Sequence, residues 1–251
     1  MRKTPKALKK DPILEAIVEV RFESQEQALG DLLPGMLFQR LRHRFQSLSA
    51  LPLAHLPKAI RDKDQSFAYQ PVHALVGPGM QLRLGQRVAS LSLLRPYPGW
   101  NKAEPVFREV IGSLAETRTV ASITRFSLKY INLLTVGSDA SDMSILKIRL
   151  EAGDFNLRAP GRHVRFEIEH RGCTHVVQVM TGADVTQTQP GSKDVRVQGV
   201  VVDVDTICFG PFGDDWALVT KLLAEAHEAE KEVFFGLLTD DTIDKMEPVY
   251  E

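Results

Sequence analysis

Asp214–Glu251, DDWALVTKLLAEAHEAEKEVFFGLLTDDTIDKMEPVYE, closes the chain and dictates what the rest must supply. Trp216, Val219, Leu222, Leu223, Ala226, Val233, Phe234 and Leu237 recur at three- and four-residue spacing, which puts them on one face of a long helix. Asp214 or Asp215 is the N-cap, because a short carboxylate accepts the free amides of a first turn. Gly236 ends the helix. Thr239, Asp240 and Asp241 cap a second, short turn holding Ile243 and Met246, and Pro248 stops it. An apolar stripe of this length needs an apolar surface to pack on, and the remaining sequence points to a sheet.

The strand signal begins at Ile13–Glu23. Leu14, Ala16, Val18, Val20 and Phe22 alternate with Glu15, Glu19, Arg21 and Glu23, the pattern of a half-buried strand. A helix is expected around 34–47, with Pro34 in its first turn and Leu37, Phe38, Leu41 and Phe45 as its buried stripe. Residues 49–64 lack periodicity and read as loop. Strands follow near 67–75, 80–84 and 88–94, with Gly77-Pro78-Gly79 and Gly85-Gln86 as turns. Pro96–Trp100 is a rigid aromatic turn, with Trp100 under the next helix near 102–116. Strands are then expected at 122–136, 145–151, 163–170, 174–181 and 195–209. Gly199 is a candidate bulge, and 186–193 the least constrained loop.

Strands that come in runs, not in strict alternation with helices, indicate α+β with mainly antiparallel sheets and three or four packing helices. The order suggests two similar β/α halves, 12–120 and 121–251, within one globular unit spanning 12–251. Residues 1–11, MRKTPKALKKD, are expected to be a flexible basic arm.

Composition excludes several classes. The chain has 251 residues, 43% of them hydrophobic and 25% charged, in the range of ordinary globular proteins. Net charge is -1, which supplies no global attraction for nucleic acid or an anionic membrane. The expected location is cytoplasmic. With two cysteines, Cys173 and Cys208, inside apolar runs, buried free thiols are expected in preference to a disulfide. Gly-x-Ser-x-Gly, His-Glu-x-x-His, Rossmann and phosphate-loop signatures are absent, so no catalytic residue is assigned and no cofactor is expected.

The pattern His227-x-x-x-Lys231-x-x-Phe234-Phe235, then Leu238-Thr239 and Met246-Glu247-Pro248, resembles the end of a sporadically distributed, uncharacterised prokaryotic family of about 250 residues. Pro12–Ala16, Pro98-Gly99-Trp100, Arg125-Phe126 and Tyr130-Ile131-Asn132 fit the same family in order. The resemblance implies one globular unit and brings no catalytic residues. Its sporadic occurrence is compatible with an accessory role in a mobile defence or toxin–antitoxin-like system.

Four constellations remain. Trp216, His227, Lys231, Phe234 and Phe235 on the terminal helix are the expected surface for a protein partner or for self-association. Glu167 and Glu169 on one strand, with Asp203 and Asp205 on another and His163 nearby, are the metal candidates if those strands are neighbours, and would then support a metal-dependent hydrolase or nuclease. His170 and His175 flank Cys173 across a turn and are a weaker metal candidate. Arg40, Arg42 and Arg44 with the basic arm are the nucleic-acid candidates. The expected function is a non-catalytic binding or accessory protein working by protein association, with the hydrolase and nucleic-acid readings as alternatives.

Overall fold

β-branched and aromatic runs separated by Gly, Pro and Asp turns set the order of elements. The computed structural model describes residues 3–137, 139–151, 153–154, 161–187 and 195–250. In chain order they form β1 (Ala7–Leu8), β2 (Ile13–Glu23), α1 (Leu29–Arg40), β3 (Ser47–Ala50), α2 (Lys58–Arg61), β4 (His73–Gly77), β5 (Met80–Leu84), β6 (Val88–Leu94) and α3 (Trp100–Ala115). There follow β7 (Ser122–Leu134), β8 (His163–His170), β9 (Cys173–Gln187), β10 (Val195–Gly213), α4 (Trp216–Leu237), α5 (Asp240–Lys245) and β11 (Pro248–Val249). The class is α+β with antiparallel sheets, as the runs of strands indicate. No helix among the described residues is long and apolar enough to cross a membrane.

The chain divides into two compact units, and neither is continuous in sequence. A terminal unit contains Met1–Leu14, Tyr130–Thr206 and Glu228–Glu251; a central unit contains Glu15–Lys129 and Ile207–His227. The boundaries fall inside β2, β7, β10 and α4 and not near residue 120, where the order of elements suggests a division into halves, 12–120 and 121–251.

In the central unit the ladder order is β3-β4-β5-β6-β2-β7. β2 shows the alternation expected of it: Ala16, Val18, Val20 and Phe22 are buried, and the residues between them half-buried. α3 presents Ala103, Phe107, Val110, Ile111 and Leu114 at helical spacing, all buried, and a small cleft lined by Val18, Val20, Leu82, Leu91, Phe107 and Ile111 marks where it meets the sheet. In the terminal unit the order is β7-β10-β9-β8. Val177, Val179, Val200, Val202 and Val204 pack there with Phe234, Leu238, Ile243 and Met246.

Four local readings change in three dimensions. The first helix starts at Leu29, so Pro34 lies inside it. Proline removes the bond to the carbonyl four residues back; that carbonyl, Gly30 O, instead meets His73 Nδ1 at 3.2 Å. Leu41 and Phe45 remain buried beyond the helix end. Residues 49–64 are not plain loop but carry the end of β3, a 3₁₀ turn and α2. Residues 145–151 form no strand beyond a single bridge, Leu146 to Leu238. Their main chain is satisfied by the start of α5 instead, since Thr239 N and Thr242 Oγ1 both donate to Ile145 O, at 3.1 and 2.8 Å. The basic N-terminal segment is paired, with Lys6 N donating to Val249 O and Lys9 N to Glu247 O, because β11 offers it an open edge. β9 extends to Gln187, and 188–193 of the expected loop lie outside the described residues.

The caps at the chain end are those the sequence indicates. Asp215 Oδ1 accepts Leu218 N at 2.9 Å, and the Thr239 side chain accepts Thr242 N. Gly199 serves close packing: a Cβ there would stand 2.5 Å from Leu134 O of the neighbouring strand.

Glu230 sits on the buried face of α4 with 4% exposure. Burial pushes its carboxyl up to about 8, and the adjacent Lys231 ammonium pulls the other way. Folded protein thus keeps the proton through neutral pH, whereas the unfolded chain releases it near 4.5. This contribution to stability is whole below that value, falls by about 1.4 kcal/mol per pH unit as pH rises, and levels off above about 8. Calorimetry across this window is expected to show the melting temperature of native protein dropping toward alkaline pH, and Glu230→Gln flattening that drop.

Candidate functional site

On α4, His227 is 8% exposed and Phe234 5%. The His227 ring lies flat on Trp100, with centroids 3.8 Å apart and planes 5° apart, and Trp100 in turn leans on Phe107. Phe234 belongs to the terminal unit's valine core, and half-buried Phe235 meets it edge-on at 5.3 Å. Lys231 Nζ stands 3.7 Å from Glu228, and Trp216 is half-buried. These side chains serve the fold, which leaves little of the expected partner surface on the helix.

The acidic residues are not on neighbouring strands, because β9 runs between β8 and β10. Glu167 is bonded by Arg165 at 2.8 Å and Glu169 by Thr174 at 2.7 Å. Asp203 accepts from Gln178 at 3.3 Å, and Asp205 is likewise engaged. His163 meets the Gln178 side chain. Among the described residues no group of three or more His, Cys, Asp or Glu side chains is placed to hold a metal ion.

The histidine pair forms a hydrogen-bonded chain. Fully buried His175 uses both ring nitrogens, Nδ1 with Thr206 Oγ1 at 2.9 Å and Nε2 with His170 O at 3.2 Å, so neither is available as a ligand. Desolvation holds its pKa below the ordinary histidine value. His170 Nε2 meets Glu232, whose carboxyl is held low first by that bond and then, against partial burial, by Arg171. Cys173 and Cys208 are buried and not joined in a disulfide.

The basic stretch at and just beyond the end of α1 is largely paired. Arg40 bonds Glu116, Arg44 and His43 bond the two oxygens of Glu109, and Arg42 lies over the Phe38 ring at 5.9 Å. Glu109 pays desolvation, but the Arg44 and His43 bonds outweigh it and hold its carboxyl low.

Two features of the central unit were not singled out by sequence. The first is the face of its sheet opposite α3. Glu19 of β2 pairs with Ser90 of β6, which pairs with Arg83 of β5, and Arg125 of β7 reaches Glu19 at 3.3 Å. One row across four strands therefore reads Arg83, Ser90, Glu19, Arg125. Arg21, two residues from Glu19, donates its Nε to the same carboxylate at 2.7 Å and lies 4.7 Å over the Tyr69 ring. In the next row Ser92 is fully buried, and its Oγ has no hydrogen-bond partner among the described residues. Tyr69 also lines an open cleft of about 670 Å³, with Gln25, Arg61, Phe67, Gln70 and Gln86 among its walls. The second feature is β3, the edge of this ladder, whose four residues are all exposed. The signals were present as the alternate charges of β2 and the uncharged run Ser47–Ala50, but neither strand's neighbours are encoded locally.

No protein-family model matches this chain, and no curated protein matches it.

A buried hydroxyl without a partner costs desolvation and returns nothing. Ser92→Ala is therefore expected to leave the denaturant midpoint unchanged or raise stability by up to about 1 kcal/mol, read by equilibrium urea unfolding.

Proposed function

We propose that the protein is a binding protein acting through protein–protein association, and that its partner is a second copy of the same chain joined at β3. The observation that carries this reading is the state of that edge. Leu51 N donates to Val72 O at 2.8 Å, so by antiparallel alternation Ser49 and Ser47 turn toward β4. Leu48 and Ala50 then turn their main-chain N–H and C=O outward, where no described strand meets them.

Open edges usually carry lysine, proline or a bulge that discourages pairing. Ser-Leu-Ser-Ala carries none of these. Antiparallel pairing of two identical strands sets the residue at the two-fold axis opposite its own copy and its flanking residues opposite one another, which repels when the strand centre carries like charges. An uncharged strand avoids that repulsion. Four residues alone fall short of a stable interface of roughly 800 Å² per partner. Leu48 at 40% on this edge, Leu56 at 39% and Ile60 at 52% in the segment that follows it, and Val76 at 38% on the adjoining β4 supply exposed apolar area.

Proline is tolerated on an edge strand where its missing N–H faces solvent. Ala50→Pro is therefore expected to fold with an unchanged far-ultraviolet spectrum while weakening association at least about tenfold. Circular dichroism checks the first part and sedimentation equilibrium the second. Native protein that stays monomeric to roughly 100 μM, or a variant that associates as well as native, removes the reading.

A further inference from the structure

β8 is the terminal unit's edge strand, and among the described residues no strand pairs with its outer side. Thr181 N donates to Arg162 O at 3.0 Å, so by antiparallel alternation Val164, Phe166 and Ile168 turn their main chain toward β9. His163, Arg165, Glu167 and Glu169 turn their N–H and C=O groups outward, and all four are exposed. Between them Val164, Phe166 and Ile168 are half-buried, the last two against the terminal unit's core.

Charges on an edge strand usually discourage pairing. Here the charges are sorted along the strand, with His163 and Arg165 in its first half and Glu167 and Glu169 in its second. An antiparallel copy of such a strand lays its acidic half on the basic half. With the two-fold axis at Phe166, Arg165 stands opposite the copy's Glu167 and His163 opposite its Glu169, in the positions that exchange main-chain bonds. On the other face Val164 meets Ile168 and Phe166 meets itself, which covers apolar area that the single chain leaves half-exposed. His170, at the strand's end, keeps its bond to Glu232. Moving the axis by one residue sets Arg165 against Arg165 or Glu167 against Glu167, so charge selects this register. Within each copy Arg165 already bonds Glu167 at 2.8 Å, and the pairing closes two such pairs into a ring of alternating charge. The same charges oppose a strand of unrelated sequence, which leaves a second copy as the fitting occupant.

We infer that the β8 edge is a second self-association surface, on which the β8 of another copy pairs antiparallel about Phe166, Arg165 on Glu167 and His163 on Glu169. It stands without the β3 edge, and a chain that uses both edges associates beyond a dimer. A ladder of eight residues falls short of roughly 800 Å² per partner, so the contact is weak, with Kd on the order of 100 μM.

Sedimentation equilibrium of the full chain carrying Ala50→Pro, in which pairing at β3 is blocked, tests this surface by itself. That chain is expected to reach a dimer and stop there. Adding Arg165→Glu sets like charges opposite one another on both sides of the axis and is expected to weaken the dimer on the order of tenfold. Adding Glu167→Arg as well restores opposite charges in exchanged positions, and association is expected to return to within about threefold of the Ala50→Pro chain. Both changes are on exposed side chains, and circular dichroism checks that each variant folds. If β3 is not used, Ala50→Pro associates like native protein, and the charge exchange still decides β8. An Ala50→Pro chain that is monomeric at roughly 500 μM leaves this edge to some other strand and overturns the inference. Association unchanged by Arg165→Glu, or not recovered by the exchange, overturns it too.

Discussion

The two-residue period of the strands is the constraint on which each unit depends. A strand that buries every second side chain must show the others on the opposite face. In the central unit Ala16, Val18, Val20 and Phe22 form the floor on which α3 lays Phe107, Val110 and Ile111. The same period forces Glu19 and Arg21 onto the reverse face, where Ser90, Arg83 and Arg125 join them. Core and polar face are one pattern read from its two sides. A one-residue slip of β2 would bury Glu19 and Arg21 under α3, so the register is held by the cost of burying charge.

Where the chain departs from regular geometry, a specific polar group compensates. Pro34 interrupts the bonding of α1, and His73 takes up the carbonyl it leaves. Residues 143–146 leave the sheet, and Thr239 and Thr242 at the start of α5 satisfy Ile145. His175, buried completely, is satisfied at both nitrogens. Ser92 and Glu230 are the contrasting cases: one hydroxyl without a partner, and one carboxyl that stays protonated because its surroundings do not support a charge. These two are where substitution changes stability without disturbing packing.

Several conspicuous residues of the sequence are engaged within the fold. His227 and Phe234 looked like an interface because an aromatic stripe on a terminal helix reads the same whether it meets a partner or its own sheet. Trp100, more than a hundred residues away, decides the matter for His227. Glu167, Glu169, Asp203 and Asp205 looked like a metal site because spacing by two aligns each pair, but β9 separates the two strands. Arg40 and Arg44 looked free because Glu116 and Glu109, which neutralise them, lie on another helix.

By itself the sequence determined the class, the alternation of β2, the bounds of β8 and the closing helix with its caps at Asp215 and Thr239. These follow from periodicity and from bonds between residues two to four apart, and such bonds do not depend on the rest of the chain. Tertiary structure alone decided which strands are neighbours, and hence which charges meet. Arg83 and Glu19 are 64 positions apart in sequence and share a row only because Ser90 of β6 pairs with both. The openness of β3 has the same origin: an edge is defined by the absence of a neighbour, and a strand's neighbours are set by long-range pairing.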